Sequence, residues 1–208
     1  WEENYKNLLG ITARSYVSKD LKRLMLKSFF NVLPGKSFDY QSGSTQLLSM
    51  VIEKANNKKI NDLVSEWLWD PIGAENDALW MVDSKENNEL KAYCCLNSNA
   101  RDFSRIGKLY LNYGKWDGDQ IIDSLFIRKS TTQFLESFDA YGIGVWLSNH
   151  KDMNISLMSG HQGQYVIMIP EKDLIITRLG ERDIDLGGPG VSGDVLVYID
   201  EALSLIQD

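Results

Sequence analysis

The chain has 208 residues, 22 Lys+Arg against 29 Asp+Glu and a net charge of −7, with 43% hydrophobic and 25% charged residues. That balance suits a globular protein with a real core and argues against nucleic acid or an anionic membrane surface, both of which need a basic footprint. Two cysteines cannot make a disulfide framework, and no run approaches the roughly 18 apolar residues of a membrane span.

Residues 1–17 show no period and read as loop. Ser18 is placed to cap a helix over Lys19–Asn31, with Leu21, Leu24, Met25, Phe29 and Phe30 at helical spacing and Pro34-Gly35 as its end. Residues 44–55 predict a helix with Leu47, Leu48, Val51, Ile52 and Ala55 on one face, stopped by Asn56-Asn57. A further helix over 60–69 carries Ile60, Leu63, Val64, Trp67 and Leu68; Asp70-Pro71 closes it, because a residue before proline is pushed out of the helical region. Trp67 and Trp69 read as core packing. Residues 73–97 are mixed, with Asp83–Glu89 an exposed turn. Ser98 or Asn99 caps a helix to Tyr113, with Phe103, Ile106, Leu109 and Tyr110 inward, and Asp123 starts a short helix to Thr131.

The apolar period then changes from 3.6 to 2. Gly142–Leu147, Ile155–Ser159, Gln164–Ile169 and Leu174–Leu179 read as strands, the last two joined through Pro170-Glu171-Lys172-Asp173. Gly187-Gly188-Pro189-Gly190 breaks the chain before a helix capped by Ser192 or Asp194 and carrying Val195, Tyr198, Ile199, Ala202, Leu203 and Ile206. The expected class is α+β: a mainly helical lobe over 1–131, then antiparallel strands and a closing helix over 132–208. Four strands under one helix would leave a face and an edge open, so further N-terminal strands are expected. The start at Trp1 rather than Met fits a trimmed piece of a longer protein.

Three segments carry chemical information. Tyr40-Gln41-Ser42 stands just before a helix, where a tyrosine ordinarily rests half-buried with its hydroxyl on a carbonyl. Arg101-Asp102 opens another helix and reads as a dipole-compatible carboxylate with a local ion pair. His161-Gln162-Gly163-Gln164 opens a strand, its glycine marking close backbone approach. Two histidines without metal-site spacing give no zinc site, adjacent Cys94 and Cys95 read as two thiols because a vicinal bond is strained, and no nucleotide loop is present.

In order, these segments resemble the penicillin-binding-protein-like serine hydrolases, which include class C β-lactamases, DD-peptidases, family VIII carboxylesterases and nylon-oligomer hydrolases. The resemblance spans about Leu33 to Leu179 and is carried by "PGKSFDYQSGSTQLLSMVIEKANNKKINDLVSEWLWDPIGAENDALW", "NARDFSRIGKLYLNYGKWDGDQII" and "SGHQGQYVIMIPEKDLIITRLG". It implies a β-lactamase/transpeptidase-like fold and cleavage of a small-molecule ester, amide or peptide-like substrate through an acyl-serine. By resemblance Tyr40 is the proton-relay tyrosine, its phenol tuned by a neighbouring lysine charge. Ser42 takes the motif's third position, and His161 and Gly163 replace the usual Lys-Thr-Gly to shape the substrate edge. The Gln164 N–H would be one oxyanion donor. No metal or organic cofactor is expected, and an exported or lipoprotein-anchored location is favoured.

The family's nucleophile lies in Ser-x-x-Lys at the start of a helix. Here only Ser148-Asn149-His150-Lys151 has the spacing, in the wrong order and in a polar turn, so it reads as coincidence. "WEEN" resembles the segment after the nucleophile helix, which places that helix before Trp1 and predicts that these residues alone are inactive. Two alternatives stand beside this reading: a non-catalytic binding or sensor module, and a true β-lactamase or DD-peptidase, against which Ser42 and His161 argue.

Overall fold

The computed structural model describes residues 1, 3–4, 7–28, 33, 35, 37–136, 138–181 and 191–206. Cα proximity divides the chain into two units: Trp1–Asp70 with Asp77–Ser98, and Pro71–Asn76 with Asn99–Asp208.

The first unit is helical. Helix α1 (Ile11–Val17) forms where loop is expected, and buries Thr12 and Ser15 rather than an apolar stripe, which is why no apolar period marks it. Helix α2 (Leu21–Leu26) is shorter than predicted, and its N-cap is Asp20, which accepts from the Arg23 N–H, rather than Ser18. Its end and the Pro34-Gly35 stop fall partly outside the described residues. Helix α3 (Ser42–Asn56) ends as expected, with Asn57 in the left-handed conformation. Its orientation reverses part of the expectation, although Leu47, expected inward, does pack against Leu21, Leu24 and Met25. The buried face is Ser42, Gly43, Gln46 and Ser49, whereas Leu48 and Val51 are 58% and 62% exposed. Gln46 explains the reversal: its amide donates to the Leu90 carbonyl and accepts from the Ala92 N–H, both 2.9 Å, a pairing open only to a buried side chain.

Helix α4 (Ile60–Val64) continues as a π-helical turn over Ser65–Trp69 and stops at Asp70. Trp69 is buried, but Trp67 is half exposed, contrary to its reading as core. Strands β1 (Leu79–Trp80) and β2 (Leu96–Asn97) pair antiparallel. The Asp83–Glu89 turn is exposed at its tip but not at its ends: Asp83 accepts the Leu21 N–H at the start of α2, and Glu89 is buried. Cys94 and Cys95 are joined in a disulfide, not two thiols. Cys95 holds a left-handed backbone (φ 67°), and the Cys94 and Cys95 carbonyls accept from Trp80 Nε1 and the Met81 N–H respectively. Buried Lys91 donates to the Tyr16 carbonyl at 2.6 Å, tying this segment to α1.

The second unit is a four-stranded antiparallel sheet in the order β5 (Trp146–His150), β6 (Met153–Gly160), β7 (Gln164–Ile169), β8 (Leu174–Arg178). Three strand assignments hold; β5 is displaced from the predicted Gly142–Leu147 to Trp146–His150, so Ser148–His150, expected in a polar turn, are strand, and a small hairpin of β3 (Lys115–Trp116) and β4 (Asp119–Gln120) is additional. Alternation sorts the sheet into two faces. Ile155, Leu157, Tyr165, Ile167 and Ile169 pack with Val195, Ile199 and Leu203 of α7 (Gly193–Leu205). Val166 and Ile175 face α5 (Ala100–Leu111), which comes so close at Gly107 that a Cβ there would sit 2.9 Å from Val166 and 3.1 Å from Ile175. The sheet is therefore covered by two helices, not one, which corrects the expected open face. Helix α6 (Ser124–Ser130) follows its Asp123 N-cap as predicted.

Asp102 is scaffold, but not through Arg101. The carboxylate is fully buried and accepts from the Glu75 and Asn76 N–H groups and from the Asn76 and Asn99 amides, at 2.6–3.1 Å. Its nearest cation is Arg105 at 3.5 Å, while Arg101 reaches Glu75. Burial pushes the Asp102 pKa up, but the converging hydrogen bonds outweigh it and hold the carboxyl below its ordinary 3.8.

Gly107→Ala is expected to lower stability by about 1–3 kcal/mol through overpacking, read as a shift in the urea midpoint; an unchanged midpoint would show that the sheet yields to the added methyl. A carboxylate with a depressed folded pKa contributes stability that is complete above its unfolded value and lost as pH falls through the folded one. Acid titration of stability below 3.8 should therefore be shallower for Asp102→Asn than for the native protein, and superimposable curves would refute that contribution.

Candidate functional site

Tyr40 and Ser42 lie in the first unit, at the head of α3. Tyr40 is 40% exposed and directly precedes Gln41, the extended N-cap residue of the helix. Burial, and then the charge of Glu3, push its phenol above 10.0. This corrects the expected tuning by a lysine charge: among the described residues the charge acting on Tyr40 is the Glu3 carboxylate, and it joins burial in favouring the protonated phenol over phenolate. Ser42 is buried, and its hydroxyl is committed: it donates to Glu3 Oε1 at 2.9 Å, while the Ser42 N–H donates to Oε2 at 2.9 Å. Trp1 Nε1 donates to the same Oε2 at 2.7 Å. The Trp1 indole lies over Gly43, where a Cβ would come within 2.5 Å of its ring, so any larger residue would have to displace the indole. Tyr93 packs on the same cluster as Trp1. Its phenol is pushed up to about 12, by burial first, with Ser15 opposing and Tyr16 and Glu3 adding.

His161, Gly163 and Gln164 lie together in the second unit. Sequence reading places them at the opening of a strand; His161-Gln162-Gly163 are the turn that joins β6 to β7, and Gln164 is the first residue of β7. His161 is exposed. Gln162 and Gly163 both take left-handed backbone (φ 62° and 82°), and Gly163 is buried, so the turn demands glycine there. The Gly163 carbonyl accepts from Arg178 Nη1 at 2.6 Å, and Arg178 also stands over the rings of Tyr165 and Tyr198. The Gln164 side chain is fully engaged with Gly180: its amide donates to the Gly180 carbonyl and accepts the Gly180 N–H at 3.1 Å. The turn is thus clamped from the last residue of β8, Arg178, and the first residue of β7 from Gly180 just beyond it. Arg178 and Gly180 carried no motif; only the fold brings them here.

The Ser148–Lys151 spacing has no catalytic geometry. Ser148 is in β5 opposite Ile155, and Lys151 is in the following turn, bonded to Asp200 at 2.8 Å, with His150 on the same carboxylate at 2.7 Å. Among the described residues no group of His, Cys, Asp and Glu could hold a metal ion, and no helix is long and apolar enough to cross a membrane.

A family model described as Beta-lactamase matches residues 4–186. The chain belongs to this family. Within the beta-lactamase family it is 25% identical, over 183 residues, to the 6-aminohexanoate-dimer hydrolase of Paenarthrobacter ureafaciens, an alignment covering 81% of this chain and 46% of that protein. The chain thus spans about half the length of that curated relative. A Bacillus anthracis protein provisionally named 6-aminohexanoate-dimer hydrolase superposes with a TM-score of 0.76 at 24% identity, over 98% of this chain and 57% of that one. The D-amino acid amidase of Ochrobactrum anthropi, complexed with D-phenylalanine, superposes with a TM-score of 0.62 at 16% identity, over 92% of this chain and 69% of that one. The beta-lactamase-like fold expected from the motifs is therefore the fold observed, and the named relatives are hydrolases.

Gly163→Ala is expected to cost about 1 kcal/mol or more, since φ is +82° and an alanine cannot adopt that conformation without strain. Thermal melting of the variant checks it, and an unchanged Tm would mean that the turn can be rebuilt.

Proposed function

We propose that this chain supplies the proton-relay tyrosine and one oxyanion donor of a serine hydrolase that cleaves a small-molecule ester or amide through an acyl-serine intermediate. The nucleophile comes from residues outside these 208. The observation that carries the reading is Tyr40 at the head of α3 in a chain matched by the Beta-lactamase family model over residues 4–186.

Attack of the serine oxygen on the acyl carbon creates an oxyanion, and the Gln164 N–H donates to it. Collapse expels an alkoxide or amine, which needs a proton. The serine proton passes during attack to the lysine that a Ser-x-x-Lys segment outside these residues would supply; the Tyr40 phenol, kept protonated by burial and by Glu3, gives its proton to the leaving group and is reprotonated from that lysine. His161 and Gly163 border the substrate, and the exposure of His161 fits a role in contact rather than in proton transfer. The amide-cleaving relatives favour amides among the substrates.

Active-site labelling read by intact mass tests this. With a fluorophosphonate ester, the chain extended by its native upstream residues should gain one adduct and the 208-residue chain none. Tyr40→Phe should slow labelling by about 10²–10⁴-fold. Folded but unlabelled extended protein would favour a binding module, and labelling of the short chain alone would displace the nucleophile assignment.

A further inference from the structure

Helix α3 starts without a cap of its own. Its N-cap is Gln41, whose side chain makes no capping bond. The first N–H groups of a helix find no partner inside it, and the positive end of the helix dipole favours a carboxylate. Glu3, 39 residues earlier in the chain, meets both requirements: its oxygens accept the Ser42 N–H and the Ser42 hydroxyl, each at 2.9 Å. Trp1 Nε1 donates to the same carboxylate at 2.7 Å and the Trp1 ring covers Gly43, so Glu3 is itself held from behind. Both carboxylate oxygens are thereby spent on the first residue of the helix, two positions after Tyr40.

We propose that Glu3 is a positioning residue for Tyr40, fixing the first turn of α3 and with it the place from which the phenol delivers its proton. The inference rests on the reading of Tyr40 as the proton relay. Glu3 acts on Tyr40 in two ways. Through Ser42 it sets where the backbone enters the helix. Through space its negative charge favours the protonated phenol. The groups facing this carboxylate are Trp1 and Ser42, which bond to it, and the phenols of Tyr40 and Tyr93, which feel its charge. Asp39, on the segment before the helix, accepts from Gln41.

The test uses the protein with its native upstream residues and compares Glu3→Gln, Glu3→Asp and Glu3→Ala with the native form. Glu3→Gln keeps an acceptor of the same size and loses the charge. Hydrolysis of the best ester or amide substrate is followed from acid to alkaline pH, with melting temperature recorded for each variant. In Glu3→Gln, kcat should fall about 10- to 100-fold with KM within about twofold of native. The alkaline limb of its pH profile should move to lower pH, because loss of the charge eases ionisation of the phenol. Glu3→Ala should lose more, and Glu3→Asp should recover part of kcat. If Glu3→Gln lowers the melting temperature but leaves kcat and the alkaline limb unchanged, Glu3 is a helix cap only and the proposal is overturned. A native protein that takes no fluorophosphonate adduct overturns the reading of Tyr40 and this one with it. A labelled native protein with a native-like Glu3→Gln overturns this one alone.

Discussion

Strand β7 is buried on both faces, and this requirement organises the second unit. Tyr165 through Ile169 are all buried in succession, so alternate side chains must find apolar partners on opposite sides. Helix α7 covers one side with Val195, Ile199 and Leu203. Helix α5 covers the other and can do so only because Gly107 presents no side chain where it meets Val166 and Ile175. The Asp102 carboxylate then anchors the start of α5 to residues 75 and 76, so the helix that packs on the sheet is also fixed along its axis. The β6–β7 turn is carried on this doubly covered strand, which gives His161, Gly163 and the Gln164 amide a rigid base.

The first unit solves a different problem. Helix α3 turns a polar face inward, and its buried amide and hydroxyls are each matched: Gln46 with the backbone around Leu90 and Ala92, Ser42 with Glu3, Ser49 with the Gln46 carbonyl. Unmatched, such groups would cost roughly 1–3 kcal/mol each; matched, they specify one rotation of the helix. That rotation places Tyr40 and the Glu3 carboxylate at the same helix end. Hydrogen-bond matching, together with the packing of Trp1, Leu47 and Met50 on Leu21, Leu24 and Met25, therefore sets the geometry around the candidate relay.

Much of this was legible in the chain itself. The α5, α6 and β7 boundaries and the α+β class followed from caps, turns and the change of apolar period, signals that are local in sequence. The reading failed where polar groups were buried. α1 was missed because it buries Thr12 and Ser15, and α3 was rotated because a rule that turns Leu and Val inward cannot anticipate Gln46. The disulfide was missed because two adjacent cysteines say nothing about the left-handed backbone that joins them.

The candidate site divides in the same way. Tyr40, Ser42, His161, Gly163 and Gln164 are the candidates that motif order proposes, because chemistry constrains residue type at fixed local spacing. Their supports were not: Glu3 on Ser42, Arg178 on Gly163 and Gly180 on Gln164. By itself the sequence determined most of the longer elements and the candidate reactive side chains, because those signals depend on neighbours within a turn or a strand. The tertiary structure decided which face of α3 is buried, what covers the second face of the sheet and which distant carboxylate caps the candidate helix. Those outcomes depend on pairing polar and apolar groups far apart in the chain, and no local pattern records them.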